Sequence, residues 1–239
     1  NIVDFSERDV LAARHLHNGP ITSSVRLGAA LRYFAGGSPY DIACSFGISI
    51  TEVHYSITYV INAVNDRFHL SYPSSHVEQL AIASDFSVHS QAGFAICAGA
   101  IDGILIWIGK PTPQDCEEMK CDSGKFFCGR KHKFGLNCQA VSDRRGHILD
   151  LSIMYPGSTS DCLAFEGSKL YENLNKEGFL APGLCLFGDN AYLNSPYMAT
   201  PYSGGAAGST DAYNFYHSQL RILTRCKDNK TLVESCTPS

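Results

Sequence analysis

The spacing of apolar residues changes its period once along this chain. Between residues 23 and 68, apolar residues recur at every third or fourth position, which is the spacing of one buried helix face. This pattern predicts three helices, over 23–35, 39–46 and 51–68. Gly36 and Gly47 follow the first two segments, and Ser38 precedes Pro39 at the start of the second, as is usual at helix ends.

The predicted helices 39–46 and 51–68 have the arrangement of a helix-turn-helix, with a Gly-Ile-Ser turn between them. A generic three-helix bundle has the same apolar spacing, so the pattern leaves both interpretations open. The polar face of the longer helix is poor in Arg and Lys and offers Thr51, Glu52, His54, Tyr55 and Thr58. We therefore expect it to read DNA bases weakly by itself. With a further helix predicted in ERDVLAARHL, the helical region covers residues 1–75.

From Phe94 onward the apolar runs become short, rich in β-branched residues and bounded by Gly, Pro and Asp, which is typical of strands. The predicted strands are FAICAGAID, ILIWIG, KFGLNCQAVSD and HILDLSIMYPG. They are followed by a helix in SDCLAFEGSKLYENLNKEG, a buried strand in GLCLFGD, a long Pro/Gly/Ser loop and a helix in AYNFYHSQLRILTRC. This order predicts an α/β domain built on one sheet, over residues 94–226.

Two of these apolar strands end in an aspartate. Asp102 follows the run that ends at Ile101, and Asp189 follows Phe187 and Gly188. Each aspartate alone is an ordinary turn residue, but two adjacent parallel strands would bring both carboxylates to one edge of the sheet. Two carboxylates held together repel each other, and a divalent cation such as Mg²⁺ removes that conflict. The pattern therefore predicts a metal site.

A third aspartate, Asp161, follows Ser158-Thr159-Ser160 at the start of a predicted helix. An acidic residue in the first turn of a helix is a common structural choice, because the helix dipole favours it. It is equally compatible with a third oxygen ligand at the same edge of the sheet. The residues themselves leave these two roles open.

Composition and charge narrow the function only slightly. The 239 residues carry a net charge of −4, so no overall basic field indicates a nucleic-acid partner. No apolar run reaches the roughly 20 residues of a membrane-spanning helix. Ten cysteines include no C-x-x-C pair; Cys116, Cys121 and Cys128 do not have the spacing of a known zinc finger, so reduced thiols are the simpler interpretation.

Five motifs, in this order, resemble the transposase domain of the PIF/Harbinger superfamily and its domesticated animal derivative, the Harbinger transposase-derived nuclease. The motifs are GAIDG, KFFCGRKHKFGLNCQAVSD, YPGSTSD, LFGDNAY and YNFYHSQLRI. The helical segment LRYFAGGSPYDIACSFGISITEVHYSI resembles the helix-turn-helix that precedes this domain. The resemblance covers roughly residues 22–225.

This resemblance implies an RNase H-like mixed sheet with flanking helices and a DDE-type active site for phosphodiester cleavage and strand transfer. Asp102, Asp161 and Asp189 match its acidic positions and would be the catalytic residues and the ligands of Mg²⁺ or Mn²⁺. Two such ions would activate the attacking hydroxyl or water and stabilise the leaving oxygen.

The same resemblance gives the basic segment a use, although a solvated loop explains it equally well. Within nine residues, Lys125, Arg130, Lys131 and Lys133 would contact DNA phosphates.

The chain departs from the family after HSQLRI. The family usually continues into a Glu and then a Phe-Gly, and that Glu completes the metal site. Here Arg225 stands at the Glu position, and Glu234 is a poor substitute nine residues later. A frameshift, an unspliced intron or a real loss would each explain the atypical tail at 227–239.

Three functions follow from these observations. The first is a Harbinger-type transposase or endonuclease, as a fragment or degenerate copy; the chain begins at Asn1 rather than Met. The second is a catalytically inactive, domesticated DNA- or partner-binding protein, and the third is a metal-dependent hydrolase of a smaller phosphoester. The resemblance also implies a nuclear location, with a cytoplasmic one as the alternative, and DNA and a Myb-like accessory protein as partners. The sequence leaves the oligomeric state open, a homo-oligomer included, and we expect no membrane partner because no apolar run is long enough to span a membrane.

Overall fold

A computed structural model of the chain describes residues 21–67, 70–203, 208 and 210–221. The described residues group into two compact units, one of residues 21–67 and one that starts at Leu70. The predicted helix in ERDVLAARHL, together with Arg225 and Glu234, lies outside the described residues.

The first unit consists of three helices: α1 (Ser23–Phe34), α2 (Pro39–Phe46) and α3 (Ile50–Arg67). All three predicted helices are present, with boundaries that differ from the prediction by a residue or so. Thr22 and Ser38 cap the first two helices through their side chains, and Gly47 ends α2 with a φ of 66°, which favours glycine. The helices bury one small apolar core, made of Ala29, Ala30, Ile42, Val53, Ile57 and Val60.

The second unit opens with a helix that the hydrophobic pattern did not predict, α4 (His76–Val88). Its buried face includes Gln79, a polar residue, which hides the helical period. The Gln79 side chain donates to the carbonyls of Pro73 and Phe179 at 2.8 and 2.9 Å, and accepts from the Ala181 amide at 2.7 Å. This one side chain therefore fastens α4 to a loop about a hundred residues later.

In the described residues of the second unit, the sheet has six strands. They are β1 (Cys97–Trp107), β2 (Phe127–Cys128), β3 (Lys133–Ser142), β4 (Ile148–Pro156), β5 (Cys185–Phe187) and β6 (Met198–Ala199). The order is β2-β3-β1-β5-β6, and β4 also pairs with β3. The pairs β1–β3 and β3–β4 are antiparallel, whereas β1–β5 and β5–β6 are parallel. This mixed sheet with flanking helices confirms the predicted α/β class and is consistent with an RNase H-like fold.

Two predicted boundaries were wrong. The segments FAICAGAID and ILIWIG form the single strand β1, because its pairing with β3 runs without a break from Ala100 to Trp107. The helix predicted after Ser160 is split into α6 (Asp161–Glu166) and α7 (Lys169–Leu174). The break falls at Gly167, where a Cβ would overlap the Tyr155 hydroxyl group, and Ser168 caps the second helix.

Besides α4, the short helix α5 (Pro113–Glu118) and the two-residue strands β2 and β6 were not predicted. Of these, β6 lies within the segment expected to be a loop. The final helix, α8, has described residues 210–221.

The two faces of the sheet pack against different layers. Ile101, Val141 and Leu186 belong to the larger core, which also contains Phe165 of α6 and Tyr192. The opposite face contributes Ala100 and Phe187 to a second core with Phe86 of α4 and Leu220 of α8. Helices therefore cover both faces, and residues that alternate along β1 point into different layers.

Candidate active site

The register between β1 and β5 brings Asp102 and Asp189 together. Ala100 pairs with Phe187 across the two parallel strands, as the sequence predicted for adjacent parallel strands. Each aspartate lies two residues beyond its paired residue, and side chains two apart on a strand share a face. Asp102 is inside β1 rather than at its end, and it lies where the pairing with β5 has stopped and that with β3 continues.

One guanidinium group contacts both carboxylates. The Arg221 Nη2 atom lies 3.3 Å from Asp102 Oδ1 and 3.7 Å from Asp189 Oδ2. The two oxygens can therefore be no further apart than the sum of these distances, about 7 Å, within the roughly 10 Å that a shared metal site allows. The Arg221 side chain is 11% exposed, that of Asp102 18% and that of Asp189 27%, so the pairing is partly shielded from water but still accessible from one side.

Arg221 was missed at the sequence level, where attention fell on Arg225. A signal was available: Arg221 is four residues after His217, which places both on one face of α8. The His217 ring is fully buried and stacks on Phe187 with centroids 4.7 Å apart. This stacking anchors α8 against β5 one turn before Arg221.

The electrostatic surroundings keep His217 neutral. Burial lowers its pKa, and the nearby positive charge of Arg221 lowers it further, although the hydrogen bond to the Ala199 carbonyl and the charge of Asp189 act in the other direction. The Nε2 atom lies 3.1 Å from the Ala199 oxygen. A neutral ring that donates there has a structural role in holding α8 on the sheet.

Asp161 lies on the other side of β1. Its Oδ1 accepts hydrogen bonds from Asn137 Nδ2 at 3.0 Å and from Gln139 Nε2 at 3.1 Å. A Cβ at position 103 would overlap this carboxylate, so Asp161 packs directly against the backbone of Gly103. Because Gly103 follows Asp102 on a strand, the two carboxylates approach β1 from opposite faces.

A buried polar network connects Asp161 to the segment that carries Asp189. The Tyr192 hydroxyl donates to Gln139 Oε1 at 2.5 Å, and Gln139 in turn donates to Asp161. The Tyr192 amide donates to the Asp189 carbonyl at 3.2 Å. Burial raises the pKa of Tyr192 well above its usual range, and the charges of Asp161, Asp102 and Asp189 raise it further, so the hydroxyl stays protonated as a donor.

The chemistry of Asp102 and Asp189 suits a hard divalent cation. Both supply carboxylate oxygens, which Mg²⁺ and Mn²⁺ prefer, and a positive group already lies against both. Within residues 21–67, 70–203, 208 and 210–221, no group of three His, Cys, Asp or Glu side chains is placed to hold a metal ion. The described structure thus assembles two of the three predicted carboxylates and leaves Asp161 among amides.

The predicted phosphate-binding residues are all exposed and cluster at one end of the sheet. Arg130 and Lys131 are in the turn between β2 and β3, Lys133 begins β3, and Lys125 precedes β2. The Lys133 Nζ atom lies 3.3 Å from the centroid of the Trp107 ring. Trp107 is five residues along β1 from Asp102, a separation of about 17 Å at the usual rise of a strand.

Comparison with known proteins identifies the family. A family profile described as DDE superfamily endonuclease matches residues 101–227, just over half of the chain. The chain belongs to the DDE superfamily of endonucleases. The matched range contains Asp102, Asp189 and Arg221, so the carboxylate pair lies inside the DDE domain.

Curated relatives agree with this assignment and with the resemblance to Harbinger proteins. The chain is 24% identical over 219 residues to "Putative nuclease HARBI1" of Rattus norvegicus, which covers 90% of this chain and 58% of the rat protein. The human protein of the same name is 24% identical over 201 residues, or 83% of this chain and 54% of that protein. The chain thus spans a little over half the length of these relatives. No solved structure matches the chain significantly.

Proposed function

We propose that this chain is a metal-dependent DDE endonuclease or transposase of Harbinger type that acts on DNA phosphodiester bonds. The observation that carries the proposal is the parallel pairing of β1 with β5, which brings Asp102 and Asp189 within reach of one cation inside the DDE domain. Because the chain covers only part of its curated relatives, the activity of the whole protein belongs to this proposal.

Asp102 and Asp189 would hold the divalent cation, Mg²⁺ or Mn²⁺. When bound, such ions activate the attacking water or 3′-hydroxyl and stabilise the leaving oxygen. Both carboxylates remain partly exposed, so a DNA phosphate can approach them. The network from Tyr192 through Gln139 fixes the segment after Asp189. The role of Asp161 as a third metal ligand stays a prediction, and the thermal-unfolding experiment described below tests it.

The exposed basic side chains at the β2–β3 end of the sheet would bind DNA at a distance from the phosphate that reacts. Arg130, Lys131 and Lys133 are exposed, and Arg and Lys side chains commonly contact the DNA backbone, which fixes the position of the DNA without reading its sequence. The three-helix unit would add a helix-turn-helix contact, assisted by a Myb-like partner because α3 offers few base-reading side chains. Self-association and a nuclear location belong to the same proposal. In the described part of the chain, no helix has the length and hydropathy of a membrane span.

A specific observation favours an inactive, DNA- or partner-binding protein as the second candidate. Arg221 pairs with both carboxylates and offsets one of their two charges, and Arg225 stands where the family places a Glu. A cation in place of that anion, added to Arg221, would weaken metal binding, because an Arg side chain stays protonated at any working pH.

Nicking of a supercoiled plasmid in Mn²⁺ distinguishes the two candidates. We expect weak metal-dependent nicking by the chain, none by Asp102→Asn, and unchanged nicking by Asp85→Asn, a matched aspartate that pairs with Arg144. Arg225→Glu tests whether the family residue strengthens cleavage. Absence of nicking in both the chain and Arg225→Glu would favour the inactive protein.

Metal binding has its own readout in thermal unfolding. We expect Mn²⁺ to raise the melting temperature of the chain because it binds the folded state. At a Mn²⁺ concentration a hundred times the dissociation constant, the free energy of unfolding should rise by about 2.7 kcal/mol. The rise should disappear in Asp102→Asn and Asp189→Asn. If it also disappears in Asp161→Asn, Asp161 is the third ligand; if it persists, Asp161 is outside the metal site.

A further inference from the structure

We propose that Arg221 and the divalent cation are alternative occupants of the Asp102–Asp189 pair, and that Arg221 transfers to a DNA phosphate when the metal binds. This inference rests on the proposed function and adds to it a coupling between the metal and DNA. Arg221 would then bind the DNA substrate as well as pair with Asp102 and Asp189.

The geometry makes the two occupants mutually exclusive. A single nitrogen of Arg221 lies between the two carboxylates, where an ion shared by them would have to be. Ligand oxygens lie about 2.0–2.1 Å from Mg²⁺, whereas these carboxylate oxygens lie 3.3 and 3.7 Å from the Arg221 nitrogen, so an ion that binds both oxygens would take up space next to that nitrogen. A guanidinium that stayed in place would lie within a few ångströms of the metal, and the two positive charges would repel each other in this shielded site.

The two contacts of Arg221 with Asp102 and Asp189 are longer than a typical charge-assisted hydrogen bond. Charge-assisted N–H···O bonds are commonly about 2.7–2.9 Å long, and the distances from Arg221 to both carboxylates are longer. Of the two contacts, the one with Asp102, at 3.3 Å, is within hydrogen-bonding distance. A dication attracts two carboxylates more strongly than a guanidinium does at the same distance, because its charge is twice as large.

A displaced guanidinium needs a new anion, because Arg221 is 11% exposed and stays charged. The phosphodiester of the substrate is the anion that the proposed function brings to this place, and guanidinium groups bind phosphate oxygens through two parallel hydrogen bonds. His217 keeps α8 fixed on β5 one turn away, so the Arg221 side chain can move without the helix.

The consequence is positive coupling between metal and DNA. DNA that accepts Arg221 frees the carboxylates for the metal, and metal that displaces Arg221 frees it for DNA. By thermodynamic linkage the two ligands must increase each other's affinity by the same factor. Without DNA, the guanidinium holds the metal affinity low.

The test measures Mn²⁺ affinity of the full chain by electron paramagnetic resonance, with and without a short mixed-sequence DNA duplex. Mn²⁺ binding to the duplex alone is subtracted. For Arg221→Met we expect the dissociation constant without DNA to fall by on the order of tenfold, and the effect of DNA on it to vanish. Arg144→Met, which removes a comparable ion pair with Asp85, should match the unaltered chain in both respects.

The outcomes separate this inference from the proposed function. Equal or weaker Mn²⁺ binding by Arg221→Met, with binding that still depends on Asp102, would overturn the exchange while leaving the metal site intact. No Asp102-dependent Mn²⁺ binding in any variant would overturn the proposed function and the exchange with it. If Arg221→Met does not fold, Arg221→Gln serves instead: its neutral amide keeps a polar group near the carboxylates but carries no charge, so the dissociation constant without DNA should again fall, and an unchanged or higher value would overturn the exchange.

Discussion

Replacing Gly103 by alanine tests whether Asp161 is held against the strand that carries Asp102. The added Cβ would overlap Asp161 Oδ1 and would lie 2.9 Å from Oδ2. The carboxylate would have to move away from Asn137 and Gln139, which donate to it at 3.0 and 3.1 Å. The substitution therefore acts through packing and hydrogen bonding together.

The contacts set the magnitude. Overpacking a filled site costs about 1–3 kcal/mol, and a hydrogen bond to a charged group contributes about 1.5–3 kcal/mol, only part of which is lost if the carboxylate shifts. We expect Gly103→Ala to lower the free energy of unfolding by about 3 kcal/mol. For a chain of this size that corresponds to a melting temperature roughly 10 °C lower.

Thermal unfolding followed by circular dichroism provides the measurement, and Gly109→Ala provides the control. A Cβ at Gly109 meets no atom within 4 Å, so that variant should stay within about 0.5 kcal/mol of the unaltered chain. The decisive comparison repeats Gly103→Ala in an Asp161→Ala background, where the overlap is gone and the cost should largely disappear. Additive costs in the double variant would refute the contact with Asp161.

Three further predictions concern the network, the stacked histidine and the basic cluster. Tyr192→Phe removes the hydroxyl that donates to Gln139 Oε1 and should lower the free energy of unfolding, measured by chemical denaturation, by about 1–3 kcal/mol. Burial lowers the pKa of His217 below the value of 6.5 that it has in the unfolded chain, so the unfolded state binds the proton more readily. As the pH falls below about 6.5, the free energy of unfolding should therefore decrease more steeply for the unaltered chain than for His217→Phe. The double variant Arg130→Ala/Lys131→Ala should bind DNA more weakly and reduce the slope of log affinity against log salt by about 2, one for each phosphate contact.

Each of these has a matched control and a contrary outcome. Tyr40→Phe changes an exposed tyrosine and should leave stability unchanged; an equal loss there would make the Tyr192 result uninformative about its hydrogen bond. Parallel pH profiles for His217→Phe and the unaltered chain would show that His217 does not titrate differently on folding. Lys169→Ala removes a lysine paired with Glu172, and an equal change in its salt slope would mean that DNA binding depends on total charge rather than on the β2–β3 turn.

Local physics determined a large part of this protein from the sequence alone. The helices of the first unit follow from apolar spacing and from caps within a few residues of each boundary, such as Ser38 and Gly47. The apolar run before Asp102 and the one before Asp189 indicated buried strands, although the strand end predicted at Asp102 was wrong, because β1 continues to Trp107. Ordered motifs gave the family, because five short patterns in one order are far more specific than any one of them.

The tertiary structure alone decided what surrounds each carboxylate. The local pattern around Asp161 fitted a capping residue and a metal ligand equally, and it gave no sign that Asn137, Gln139 and the backbone of Gly103 would surround this carboxylate. Arg221 lies 119 residues from Asp102 along the chain, and only the docking of α8 on the sheet brings them together. A period or a cap is fixed by neighbours within one turn, whereas charges meet across a fold according to strand register and helix docking, which are properties of the whole packed chain.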